Sequence, residues 1–231
     1  MRIYRQFIEA YKEIERDLVE MGVVVHPETM QDLQVKDNPD YITKEIVGYT
    51  YCVTSQDILD TYQFMEEMKL NKAYIFAESH DRTTNPPVNP GNSWEHRRDV
   101  WGKFLRDGKF SYTYSERIAP MFNKVLMELK ERPNSRQIII PIYHPVDNLK
   151  WGGRERVPCS MYYQFLVRGG YLNLIYTMRS CDLYAHFCYD VVLARMLQQE
   201  VAAFLGYELG HFTHFIGSLH IYKKDWDKGV F

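Results

Sequence analysis

No run of about 18 consecutive apolar residues occurs in this sequence, so it offers no helix fit to cross a membrane. The charged opening M-R-I-Y-R-Q-F does not read as a secretory leader. Positive charge is not in excess either. Twenty-eight Lys and Arg stand against 30 Asp and Glu, a formal net charge of −2, with no polybasic segment to favour nucleic acid as a partner. Cysteine is scarce: Cys52, Cys159, Cys181 and Cys188 form no C-x-x-C pair, which argues against a disulfide framework or a zinc module. A reduced, cytoplasmic chain is expected, with Cys52 and Cys188 as small buried hydrophobes. The histidines, His211 and His214 included, have no metal-ligand spacing. Repeats and low-complexity segments are missing. What remains is 231 residues, 45% apolar and 25% charged, expected to form one domain over residues 1–231 with no membrane contact.

Taken in order, Ile3, Phe7, Ala10, Tyr11, Ile14 and Leu18 recur at helical spacing, and Gly22 closes that helix. The polar segment 26–41, with two prolines, is a loop, and E-I-V-G-Y-T-Y-C-V (45–53) is a strand. Thr54 or Ser55 is expected to cap a helix running to about Leu70. Residues 78–93 hold three prolines and a glycine and predict a long loop, a size usually kept for function. Residues 94–107 look helical, and a second helix ends near Lys130. S-R-Q-I-I-I-P-I-Y (135–143) predicts a buried strand. Strands follow at 157–167 and 171–178 around a Gly169-Gly170 turn, then a helix from Asp190 to Leu205 and a last strand at 211–222. Helices on a largely antiparallel sheet define the α+β class.

Chemistry concentrates between Arg156 and Tyr222. Cys159 opens an apolar strand in R-V-P-C-S-M-Y-Y-Q-F-L-V, and T-M-R-S-C-D (177–182) carries Arg179, Ser180 and Asp182. A thiolate is a strong nucleophile that can also leave again. Arginine with a neighbouring hydroxyl suits a phosphomonoester; the bland alternative for Arg179 is an ion pair with Asp182. Asp190 leads an apolar helix, and Ala194, Leu197 and Val201 share its face, so its carboxyl should point inward even if it also serves as the N-cap. His220 and Tyr222 fall on one strand face, within reach of a sugar.

Together these segments resemble the thymidylate synthase superfamily, in which a Pro-Cys nucleophile is followed by R-S-x-D, an Asn and H-I-Y. Cys159 to Arg179 is 20 residues, Arg179 to Asp190 is 11, and Asp190 to His220 is 30, all as in that family. Asp190 stands where the synthases carry asparagine, and G-S-L-H (217–220) replaces G-D-x-H. Both departures resemble the deoxycytidylate hydroxymethylase branch known from bacteriophages. The resemblance implies a twisted six-stranded sheet that dimerises face to face, Cys159 and Asp190 as catalytic residues, and 5,10-methylenetetrahydrofolate as cofactor. It assigns Asp182 and Trp101 to folate. It assigns Tyr114, Gln164, Arg179, Ser180, His220, Tyr222, and Arg136 from a second subunit of the homodimer, to dCMP. Gln137 replaces the second arginine of the family's S-R-R strand. The family's catalytic Glu has Glu66, Glu67 and Glu78 as candidates. Nine residues follow Tyr222, so a tail closing over folate is expected to be absent. A CMP-directed enzyme, a cytosine-nucleotide or thymidylate-type methylase, and a non-catalytic nucleotide-binding protein stay open as alternatives.

Overall fold

The computed structural model describes residues 1–151 and 155–228. Strand β1 (Arg2–Tyr4) leads into α1 (Phe7–Met21), whose Phe7, Ala10, Tyr11, Ile14 and Leu18 are buried at the spacing the sequence predicts. Each large apolar side chain so buried is worth about 1.5–3 kcal/mol. Ile3 is the exception. It sits before the helix on β1, opposite Cys52, and is 65% exposed. Gly22 ends α1 by contact rather than by backbone freedom: a Cβ there would lie 2.4 Å from the Leu18 carbonyl.

Short strands β2 (Val23–Val25), β3 (Thr29–Met30) and β4 (Leu33–Gln34) precede β5 (Thr43–Val53), so the expected loop 26–41 contains a small β3–β4 hairpin. Helix α2 (Ile58–Glu67) is capped by Asp57, whose side chain accepts from the Leu59 amide at 2.8 Å, not by Thr54 or Ser55. Helix α3 (Lys72–Thr83) then occupies the first part of what composition assigns to a loop. Asn71 caps it by accepting from the Tyr74 amide, and only 84–92 remains irregular. That remainder is tied down, with the Val88 amide donating to Ser115 Oγ and the Asn89 side-chain amide donating to the Phe110 carbonyl. Between 93 and 104 the predicted helix is broken into 3-10 turns around a four-residue α4 (Arg98–Trp101).

Helix α5 (Tyr114–Glu131) starts on a reciprocal capping box between Thr113 and Glu116. Next comes β6 (Ile139–Pro141), a three-residue edge strand in which Ile139 is 38% exposed. This corrects the buried strand expected over 135–143: period-two alternation buries Ile138, Ile140 and Ile142 only. Strands β7 (Ser160–Arg168) and β8 (Tyr171–Asp182), helix α6 (Cys188–Leu205) and strand β9 (Glu208–Tyr222) complete the chain. Gly206 takes φ 73° at the end of α6, the left-handed cap that glycine accepts without penalty.

The main sheet has seven strands, one more than the resemblance implies, in the order β1-β5-β9-β8-β7-β6 with β2 also on β5. Four pairings are antiparallel; β1–β5 and β8–β9 are parallel. On one face lies the aromatic core, including Phe165, Tyr176, Phe212 and His214. The other face carries Tyr162, Gln164, Ile175, Thr177, Thr213 and Phe215 in aligned register rows, and Phe215 is 39% exposed.

Candidate active site

The cavity opens where the core face runs out toward the ends of β8 and β9. Met178, Ser180 and Asp182 pair in register with Ile216, Ser218 and His220, and period two aims this series into one space. Thr43 and Glu45 extend the floor from β5, opposite Tyr222 and His220. The result is a cavity of about 610 Å³, within the range of small-molecule and cofactor sites. Of the residues the sequence singled out, Cys159, Asp190, Arg179, Ser180, Asp182, His220, Tyr222, Tyr114 and Trp101 all line it.

Two predicted substrate residues do not. Gln164 lies on the opposite sheet face, with its side-chain amide donating to the Arg136 carbonyl at 2.9 Å. The cause is a bulge between Ser160 and Tyr162. It turns Ser160 inward together with Tyr163 and Phe165 and leaves Gln164 outside. Arg136 is exposed beside β6 and does not reach this chain's own cavity.

Cys159 sits just before β7, half-buried, its carbonyl accepting from the Arg179 amide at 2.8 Å. Three donors converge on its Sγ: Gln31 Nε2 at 3.6 Å, Arg179 Nη2 at 3.8 Å and Ser180 Oγ at 3.8 Å. Arg179 is held in turn by donating to the carbonyls of Pro158 at 2.9 Å and Val157 at 3.3 Å, and to Ser180 Oγ at 3.2 Å. No Arg179–Asp182 ion pair forms among the described residues. Gln31 was not legible in the sequence. It stands in the β3–β4 turn at φ 56°, and its Oε1 also accepts from the Val157 amide.

Behind the nucleophile, Ser160 is fully buried and shares hydrogen bonds with Tyr114 at 3.0 Å and Tyr176 at 2.6 Å. Tyr176 is stacked between Tyr163 and His214, at centroid distances of 4.6 and 4.7 Å. His214 is thus a core ring and no ligand; burial pushes it down to about 3. No group of metal-binding side chains occurs among the described residues.

Asp190 does not cap α6. A π-helical turn, Leu183–Phe187, precedes that helix and is itself capped by Asp182, whose Oδ1 accepts from the amides of Tyr184 and Ala185; α6 starts after Phe187 with no side-chain cap. Asp190 therefore begins one turn further in, on the face of the buried Ala194, Leu197 and Val201. It looks into the cavity and takes no hydrogen bond from the described residues. Burial pushes its carboxyl up to about 7, against the opposing pull of Arg82 and Arg97. Asp182 and His220 face each other across β8 and β9; burial raises the acid and lowers the histidine.

Of the three glutamates, Glu78 alone lines the cavity, its Oε2 accepting from Ser93 Oγ at 2.7 Å and its Oε1 from Arg82 Nε at 2.9 Å. Glu66 pairs with exposed Lys72, and Glu67 accepts from Gln63. At the far end, Trp101, Phe104 and Phe110 surround the buried Arg156 guanidinium at 4.6–5.8 Å. The indole Nε1 of Trp101 is buried without a partner.

A family model described as thymidylate synthase matches residues 41–229. The thymidylate synthase of Leuconostoc mesenteroides subsp. mesenteroides is 30% identical over 163 residues, 68% of this chain and 49% of that protein. The thymidylate synthase of Haloferax volcanii is 28% identical over 176 residues, 68% and 51% of the two chains. This chain spans about half the length of the curated relatives it matches. The solved thermostable thymidylate synthase A from Bacillus subtilis superposes with a TM-score of 0.74 at 19% identity, over 96% of this chain and 82% of that one, a likeness of fold.

Proposed function

Since the chain belongs to the thymidylate synthase family, we propose that it transfers a one-carbon unit to C5 of a pyrimidine nucleotide, and that the nucleotide is dCMP. One observation carries the choice of base. The cavity wall presents an acid, Asp190, with a carboxyl pushed up to about 7 and no hydrogen bond from the described residues. Cytosine offers an acceptor at N3 and donors at N4, so a carboxyl that can hold or share a proton matches both edges.

Addition of the Cys159 thiolate to C6 turns C5 into a carbon nucleophile and moves electron density toward N3, where the proton shared with Asp190 stabilises it. Arg179 and Ser180 supply the phosphate contact, and His220 and Tyr222 flank the sugar. Arg136 from a second copy completes the phosphate cradle in a homodimer formed through the outer sheet face. When bound, 5,10-methylenetetrahydrofolate supplies the carbon at the oxidation level of formaldehyde. The residues fit it: the unpartnered indole N–H of Trp101 and the faces of Phe104 and Phe110 suit a planar heterocycle, and Asp182 can accept from its amino edge. In the balanced reaction the C5 proton would depart, tetrahydrofolate would be released from the transferred carbon, water would supply the hydroxyl of 5-hydroxymethyl-dCMP, and Cys159 would be expelled from C6 as the C5–C6 double bond re-forms.

The test is tritium release from C5-tritiated dCMP with and without folate. Wild type is expected to release tritium. Cys159→Ser should bind dCMP and release none, because the hydroxyl is a far weaker nucleophile. Release at the wild-type rate from Cys159→Ser, or turnover of dUMP but not dCMP by the wild type, sinks the reading.

A further inference from the structure

Arg82 belongs to no motif the sequence reading used. It sits on α3 one turn after Glu78, with its side chain 4% exposed. Its Nε donates to Glu78 Oε1 at 2.9 Å, its Nη1 contacts Tyr163 Oη at 3.5 Å, and its guanidinium lies 4.3 Å from the Tyr114 ring centroid. Each of these partners touches the working parts: Glu78 and Tyr114 line the cavity, and Tyr114 bonds the Ser160 hydroxyl beside Cys159.

The same guanidinium is the foremost positive charge acting on Asp190. The other charged groups facing that carboxyl are Glu78 from α3, Arg97 from the turn after residue 92, and Asp182 at the end of β8. Its neutral titratable neighbours are Tyr74, Tyr114, Tyr163 and Tyr176. Cys181 and Cys188 complete the set. A buried cation between two carboxyls cannot neutralise both. Hydrogen-bonded at 2.9 Å, Glu78 takes the ion pair, and Asp190 receives the through-space remainder.

We propose that Arg82 is a positioning residue that divides labour between the two cavity acids, fixing Glu78 in an ion pair and leaving Asp190 as the group that takes and returns the proton. Lysine at this site keeps the charge but loses the fork that spans Glu78 and Tyr163 while lying flat on Tyr114. The inference rests on the proposed function for its chemistry, and its electrostatics can be measured without any substrate.

The experiment follows the Asp190 carboxyl by 13C NMR of the full chain labelled at aspartate, with the resonance assigned by its loss in Asp190→Asn. The wild-type midpoint is expected near 7. Arg82→Met should raise it by about one pH unit or more, by removing the foremost positive charge acting on it. Glu78→Gln should lower it, because a like charge disappears and Arg82 is left with Asp190 as its carboxylate. Should Arg82→Met fail to fold, Glu78→Gln and Arg82→Lys decide the matter, the latter staying near wild type. Midpoints that stay together in all folded variants overturn the assignment. With substrate, the pH profile of tritium release should shift in the same order. Absence of any release from wild-type protein whose midpoints do shift counts against the dCMP reading and leaves Arg82 in its role.

Discussion

Asp190→Asn carries a stability consequence that separates a cavity acid from a structural one. The Asp190 carboxyl is raised from 3.8 to about 7. Between those values the unfolded chain is ionised and the folded chain keeps the proton. Folding therefore takes up a proton, and stability falls as pH rises from about 4 through 7. About three pH units at 1.36 kcal/mol each make the burden at pH 8 about 4 kcal/mol at most. Asparagine carries no such burden. Urea unfolding of both proteins at pH 5, 6, 7 and 8 should show the mutant gaining on wild type by about 2.5 kcal/mol across the series, a midpoint shift on the order of 1 M. The fold should survive, because Asp190 lies inside α6 and caps no helix. The same mutant should lose dCMP turnover and gain dUMP binding or C5 exchange, since an amide matches uracil N3–H and O4. A difference in stability that does not change with pH refutes the buried-acid argument, and an unchanged preference for dCMP refutes its role in choosing the base.

Arg136→Ala should weaken dCMP binding by about 1.5–3 kcal/mol, as for a lost charge-assisted hydrogen bond. Mixing it with Cys159→Ser should restore partial tritium release, while a monomer in sedimentation, or no rescue after proven subunit exchange, argues against a shared site. Gly217→Ala puts a Cβ 2.7 Å from the Arg179 carbonyl, across the parallel β8–β9 pair. The β8 backbone that carries Arg179 must then shift, which should raise the Kd for dCMP tenfold or more with a smaller loss of thermal stability; wild-type affinity would refute this.

The last third of the chain was legible because local and long-range signals agree there. Alternation gave β7 and β8, Gly169-Gly170 gave their turn, and Gly206 closed α6 in the left-handed conformation it favours. The errors have local physical causes. Counting by twos from Ser160 places Tyr162 and Gln164 on its face; the bulge puts Tyr163 and Phe165 there instead. Asp190 before a run of apolar residues reads as a cap, yet the π-turn after Asp182 moves the helix start upstream. Helix α3 was hidden by the prolines that follow it. With α3 went Arg82 and the choice of Glu78, since neither residue has a pattern of its own and both gain meaning only where α3 meets α5 and α6. Gln31 is the hardest case. It lies 128 positions from Cys159 in a two-strand hairpin that no periodicity marks.

Burial also explains why the proton chemistry of this cavity should rest on one acid. His186 lines the wall but is pushed down to about 3 by desolvation and by the nearby charges of Arg97 and Arg156. His214 behind Tyr176 is likewise held near 3 by desolvation alone. Both rings are therefore neutral throughout the range in which an enzyme works, and neither can donate a proton from an imidazolium. Tyr112 is held at about 12 and cannot ionise there. Asp190 is displaced in the opposite sense, upward into that range, by the same removal of water. A pyrimidine that enters the cavity removes more water still and pushes Asp190 further up, unless the base offers an acceptor that shares the proton. Cytosine N3 does so as the Cys159 adduct forms, whereas uracil already carries a proton at N3 and leaves the acid no acceptor there with which to share its own. In the proposed reaction the two bases are therefore separated by the proton that Asp190 shares with N3, and less by packing.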